Sequence, residues 1–140
     1  MPYLADAILV DASAAIALRN NKDQFHPIAN RFFQVTTNVL WVALNATAHE
    51  TYTRARYDLG FKQAISLYDF LKKEPLLQLY FQSKDEDEAR CLLERYSDQP
   101  ISFHDALCAT VMKRVGIYKV FTFDRHFYSF GFEVFPGYIC

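Results

Sequence analysis

Ala7-Ile8-Leu9-Val10-Asp11-Ala12-Ser13-Ala14-Ala15 is the stretch from which the fold is read. Residues 7–10 form a short, continuous apolar run. That is the pattern of a strand buried on both faces, and such strands belong to parallel sheets covered by helices on each side. The run stops at Asp11, and Ala12 to Leu18 reads as an Ala-rich helix. Outward from this unit the same alternation continues. A helix is expected from Pro27 to Gln34, with Pro in the first turn. Thr36 to Val42, β-branched and aromatic, predicts a strand. Ala46 to Tyr57 predicts a helix stopped by Gly60, and Phe61, Ala64, Ile65, Tyr68 and Leu71 recur at helical spacing. Leu76 to Phe81 predicts a strand, and Ala89, Leu92, Leu93 and Tyr96 a helix. Ser102 to Val115 is the clearest helix, with a Ser cap and Gly116 as its stop. Val120 to Phe123 and Phe132 to Phe135 complete the set as strands. The expected fold is α/β: one domain over residues 1–140 with a central, mainly parallel β-sheet flanked by helices.

Composition bounds the function. The 140 residues are 51% hydrophobic with four Gly and five Pro, which excludes a disordered or collagen-like chain. Fifteen Lys and Arg against sixteen Asp and Glu exclude a wholesale basic surface but leave room for a local basic groove. Cys91, Cys108 and Cys140 are odd in number and contain no C-x-x-C. Neither a disulfide framework nor a four-cysteine zinc site is expected, and the reading is a reducing cytoplasm. The start, Met1 to Asp6, has no basic segment of a signal peptide. The apolar stretch Val35 to Ala48 is interrupted by Thr and Asn and is too short to span a bilayer, so no membrane association is expected.

In open parallel sheets, ligands bind beyond the carboxyl ends of the strands. Asp11 stands where the first strand gives way to a helix, and Asp124 where Tyr118-Lys119-Val120-Phe121-Thr122-Phe123 ends. Asp105 falls in the first turn of the Ser102 helix, and Glu50 lies on a helix beside Thr47, Ala48 and Thr51. Carboxylates in apolar or small-residue surroundings cost several kcal/mol of lost solvation, roughly, unless something compensates. A shared Mg²⁺ or Mn²⁺ would, since hard oxygen ligands suit both. Each acid has a plainer reading as well. Asp11 and Asp105 suit helix caps, Glu50 an i, i+4 pair with Arg54, and Asp124 a turn. The coincidence of strand ends and helix starts favours the metal.

Val10-Asp11-Ala12-Ser13, Ser102-Phe103-His104-Asp105-Ala106 and Phe121-Thr122-Phe123-Asp124-Arg125-His126-Phe127 resemble PIN domains, in particular the VapC-like toxin ribonucleases. Glu50-Thr51-Tyr52-Thr53 and Gly131-Phe132-Glu133-Val134 extend the resemblance over nearly the whole chain, in the right order. It implies a PIN-like fold and a metal-dependent endoribonuclease. Asp11, Glu50, Asp105 and Asp124 would match the acidic quartet that holds Mg²⁺ or Mn²⁺, and Ser13 and Thr122 the hydroxyl residues that support it. It further implies an RNA substrate, a homodimer, and a VapB-like antitoxin whose C-terminal segment fills the groove. The rival readings are a PIN ribonuclease of RNA processing with no antitoxin, and a catalytically silent RNA- or protein-binding module. The presence of all four acids weighs against the last.

Arg54 and Arg56, which follow Glu50 on one helix, and Arg125, beside Asp124, are the candidate RNA-binding cations. Asp85-Glu86-Asp87-Glu88 reads as acids complementing a helix dipole. His26, His104 and His126 read as structural. The aromatic surplus at Phe121, Phe123, Phe127, Tyr128, Phe130, Phe132, Phe135 and Tyr138 suits core packing and a subunit interface equally. There is no G-x-x-x-x-G-K-[ST] and no G-x-G-x-x-G, so nucleotide binding has no support.

Overall fold

The computed structural model describes residues 4–137. The segment Met1 to Tyr3, Tyr138 and Cys140, all used above, lie outside the described residues. After a single 3-10 turn at Leu4–Asp6 come β1 (Ile8–Val10), α1 (Ala12–Arg19), α2 (His26–Val35), β2 (Trp41–Leu44), α3 (Asn45–Leu59), α4 (Phe61–Leu71) and β3 (Leu76–Leu79). There follow α5 (Ser83–Arg95), α6 (Phe103–Val115), β4 (Lys119–Phe121), α7 (His126–Ser129) and β5 (Glu133–Phe135). The strands form one five-stranded sheet in the order β3-β2-β1-β4-β5. Every neighbouring pair is parallel, so the sheet is parallel throughout.

The short apolar strands feed two cores because successive side chains point to opposite faces. Leu9, Val42, Leu44, Val120 and Val134 pack with Ala89, Leu92, Leu107, Val111 and Met112 of α5 and α6. Ile8, Val10, Trp41, Ala43 and Phe121 pack with the alanines of α1 and with Ala64, Leu67 and Leu71 of α4. Helix α6 begins as its cap predicts, the Ser102 Oγ accepting the Asp105 backbone N–H at 3.1 Å. It ends at Gly116, whose φ of +82° is the left-handed conformation that a side chain disfavours.

Element boundaries differ from expectation for local reasons. The strand expected over 36–42 forms at Trp41–Leu44, because Asn38 takes φ +60° and turns the chain out of the extended region. Strand β3 ends at Leu79 rather than Phe81. Strand β4 ends at Phe121; the Thr122 N–H still reaches the Phe135 carbonyl, but the donors after it are diverted, the Phe123 N–H to Ser13 Oγ and the Asp124 N–H to Thr122 Oγ1. Helix α5 starts at Ser83, ahead of its apolar periodicity, through a capping box in which Gln82 and Asp85 bond reciprocally. The acidic run therefore does more than complement a dipole. Asp85 is buried and held by Arg114, whose Nε and Nη2 each donate to a different carboxylate oxygen at 2.9 Å. The aromatic surplus resolves largely toward the core: Phe121, Phe127, Phe130 and Phe132 are buried, while Tyr128 is exposed. Phe123 and Phe135 stack on Phe25 and Phe32. Among the described residues, no helix is long and apolar enough to cross a membrane.

Candidate metal centre

Strand order fixes where a site forms. The chain leaves β1 toward β2 and β3 on one side, then returns to β4 and β5 on the other. Connections diverge at the carboxyl ends of β1 and β4 and leave a crevice there. Asp11 follows β1 directly, Asp124 follows β4, and Asp105 projects from the first turn of α6.

The Asp11 side chain makes no capping bond to α1. Its Oδ2 accepts instead from Thr122 Oγ1 at 2.8 Å and Ser13 Oγ at 3.1 Å, while its Oδ1 is buried without a hydrogen-bond partner. Ser13 and Thr122 also touch each other at 3.1 Å, tying the end of β1 to the end of β4. Asp124 Oδ1 accepts the backbone N–H of His126 at 2.9 Å, so its turn reading is satisfied together with its place at the crevice. Carboxylate oxygens of Asp105 and Asp124 lie within 4.8 Å of one another.

The electrostatics follow. Burial, together with the nearby charges of Asp11 and Asp124, pushes the Asp105 carboxyl up to about 7 against the pull of its His104 hydrogen bond. Burial acts the same way on Asp124. The hydrogen bond from Asp105, the His126 backbone N–H and the His126 ring outweigh it and lower the pKa. In the metal-free protein the proton therefore rests on Asp105 and Asp124 is the carboxylate.

Two of the histidines read as structural, His104 and His126, lie at these acids. His104 is buried, with Nε2 at 2.8 Å from Thr47 Oγ1 and Nδ1 at 3.3 Å from Asp105 Oδ1 and 3.8 Å from Asp11 Oδ1. Its Nε2 is also 3.5 Å from Cys108 Sγ. Burial opposes protonation of this imidazole, yet its pKa is raised. The neighbouring Cys108, the hydrogen bond with Asp105 and the charge of Asp11 raise it, while burial pushes the Cys108 thiol up as well. His126 Nδ1 lies 2.9 Å from Asp124 Oδ1. A lone histidine carries no periodic signal. The only cue to these two was adjacency, His104 beside Asp105 and His126 two residues past Asp124.

Ligand atoms of Asp105, Asp124 and His126 lie within 4.8 Å of one another, as do those of Asp11, His104 and Cys108. Glu50 belongs to neither group. It lines a cavity of about 350 Å³ with His49, Thr53, Phe81, Phe103 and His104, one residue removed from the acids. The Glu50–Arg54 pair is not among the ion pairs of the described residues. Arg54, Arg56 and Arg125 are exposed, and Arg56 lines a further cavity with Tyr52, Thr53 and Tyr57. The donor set fits a divalent cation: an orphaned, buried Asp11 oxygen faces a neighbourhood of carboxylates that are costly to ionise together.

A wholly parallel sheet with acids gathered at its strand ends defines a class, and the chain belongs to it: the PIN domain family, matched over residues 8–133. Within that family it is 29% identical over 130 residues to the 23S rRNA-specific endonuclease VapC20 of Mycobacterium tuberculosis, across 92% of this chain and 98% of that protein. The crystal structure of Mycobacterium tuberculosis VapC20, described as a sarcin-ricin loop cleaving toxin, superposes with a TM-score of 0.84 at 26% identity, covering 90% of this chain and 96% of that one. VapBC2 from Rickettsia felis, solved bound to a promoter DNA fragment, shares the fold at a TM-score of 0.64 and 16% identity, over 95% and 96% of the two chains.

Proposed function

We propose that the chain is a divalent-metal-dependent endoribonuclease, the toxin of a VapBC-type pair, with 23S rRNA as its substrate. The observation that carries the reading is the convergence of Asp11, Asp105 and Asp124 at the carboxyl ends of β1 and β4, with Asp11 Oδ1 buried and unpartnered. The likeness to VapC20 supports both the substrate class and a VapB-like antitoxin as partner.

Asp11, Asp105 and Asp124 would hold Mg²⁺ or Mn²⁺, with Glu50 from the neighbouring wall. When bound, such an ion would supply positive charge to phosphate oxygens and lower the pKa of a bound water. Ser13 and Thr122 occupy Asp11 Oδ2 and leave Oδ1 free of hydrogen bonds. Asp105 holds its proton against Asp124 until a cation replaces it. Arg54, Arg56 and Arg125 bind the RNA backbone. The protein acts in the cytoplasm, and a homodimer is its working form. The test is end-mapping of ribosomal RNA after incubation of ribosomes with purified protein. Discrete cuts in 23S rRNA that chelator abolishes and Asp11→Asn lacks are expected. Cutting equal in wild type and variant overturns the reading.

A further inference from the structure

We propose that His126 is a ligand of the metal centre and that its nitrogen gives the centre a preference for Mn²⁺ over Mg²⁺; this rests on the metal-dependent reading above. His126 Nδ1 sits 2.9 Å from Asp124 Oδ1. It is buried at the atom, yet makes no hydrogen bond. A ring nitrogen this close to a carboxylate oxygen needs something positive between them: a ring proton in the metal-free protein, or a cation in its place. The spacing suits the cation. Two ligands bonded at right angles to one octahedral ion at roughly 2.1 Å stand about 3.0 Å apart. Asp105 supplies a third donor atom within 4.8 Å of both. A second observation lies on the far side of Asp105: Asp11 Oδ1, on a side chain only 3% exposed and 3.8 Å from His104 Nδ1, has no hydrogen-bond partner.

The local chain explains how the ring is presented. Asp124 Oδ1 accepts the backbone N–H of His126 and folds the two residues into a tight turn at the start of α7. Phe127 is buried beside it and anchors that turn, which leaves the imidazole on the side of the acids. Mg²⁺ takes oxygen donors almost exclusively, whereas imidazole suits the first-row transition ions. A mixed set of carboxylates and one imidazole therefore discriminates between the two ions that an all-carboxylate set accepts alike.

The test uses the whole chain loaded with Mn²⁺ and read by pulsed electron paramagnetic resonance, in which a directly bonded imidazole modulates the Mn²⁺ echo through ¹⁴N. Wild type is expected to show this modulation and His126→Gln to lose it while still binding Mn²⁺. By calorimetry the ratio of Mn²⁺ to Mg²⁺ affinity is expected to fall roughly tenfold or more in His126→Gln. A double variant, His104→Asn with His49→Asn, is expected to keep the modulation, and it decides between the histidines if His126→Gln does not fold. Mn²⁺ that binds wild type without ¹⁴N modulation overturns the proposal and leaves the ribonuclease reading standing. Modulation that survives His126→Gln and vanishes in the double variant overturns it too. Failure of wild type to bind Mn²⁺ at all overturns both.

Discussion

Folding acts strongly on the charge of Asp105. Folding raises its pKa from 3.8 to about 7, chiefly through burial. The proton is held more tightly in the native state. This group's stabilising contribution is therefore complete below about pH 4 and is lost as pH rises through about 7. Asp105→Asn mimics the protonated acid. In chelator the variant and wild type should melt together near pH 4. By pH 8 the variant should be more stable by about 2–4 kcal/mol, an order-of-magnitude figure from the size of the shift. Melting curves at the two pH values decide it, and a variant less stable than wild type at pH 8 would reduce Asp105 to a helix cap. Thr122 tests the support of Asp11. Thr122→Val keeps the shape of a buried side chain but removes a 2.8 Å donor from Asp11 Oδ2. Metal affinity measured by calorimetry should fall on the order of tenfold. At this scale the acids were legible because a carboxylate at the end of an apolar strand is conspicuous. The histidines were not, since an imidazole suits a core and a metal equally and only the fold says which it faces.

Helices α5 and α6 are joined by one ion pair, and its energetics are those of an element boundary. Burial of Asp85 opposes its charge, but the two-pronged Arg114 contact and the Gln82 N–H more than compensate and lower its pKa. Deleting one partner leaves the other uncompensated. Arg114→Met should cost about 3 kcal/mol in urea unfolding at pH 7. Asp85→Leu with Arg114→Met should cost less than Arg114→Met alone, because no charge is then stranded. If the double variant is the less stable, the pair is worth more than its burial costs. The same helix marks where the sequence was hard to read. Its apolar stripe begins late, and its first turn is set by a Gln and an Asp that look like surface. Strand β2 was displaced for a related reason: β-branched residues at 36 and 37 suit a strand, but one left-handed Asn overrides them. Helices with a cap and a glycine stop, α6 above all, were readable because their ends are written in residue types.

For the whole molecule, net charge is −1 and RNA binding must rely on a local strip. Binding of RNA to Asp11→Asn should weaken steeply with salt. Arg54→Ala with Arg56→Ala should lower affinity and flatten that slope by roughly one to two units. Filter binding between low and moderate salt measures both quantities, and an unchanged slope would move the strip elsewhere, for instance to the cavity lined by Lys84, Arg95, Lys113 and Arg114. The layered architecture was legible from alternating strands and helices.

The sheet order has a temporal consequence for the cell that makes this protein. Asp11 sits at the end of the central strand and is synthesised well before β4 and β5, which bring Thr122 and Asp124 to it. Thr122 is itself held by its N–H bond to the Phe135 carbonyl at 3.1 Å. A nascent chain halted at Gly116 has the first acid and the third but neither the fourth nor the hydroxyl that aims the first. The centre is thus completed only as β4 and β5 leave the exit tunnel, and the translating ribosome is not exposed to a working nuclease of its own making until then. Chains arrested at Gly116 should bind no Mn²⁺ and cut no RNA, while chains arrested through an added C-terminal linker long enough to free β5 from the tunnel should do both.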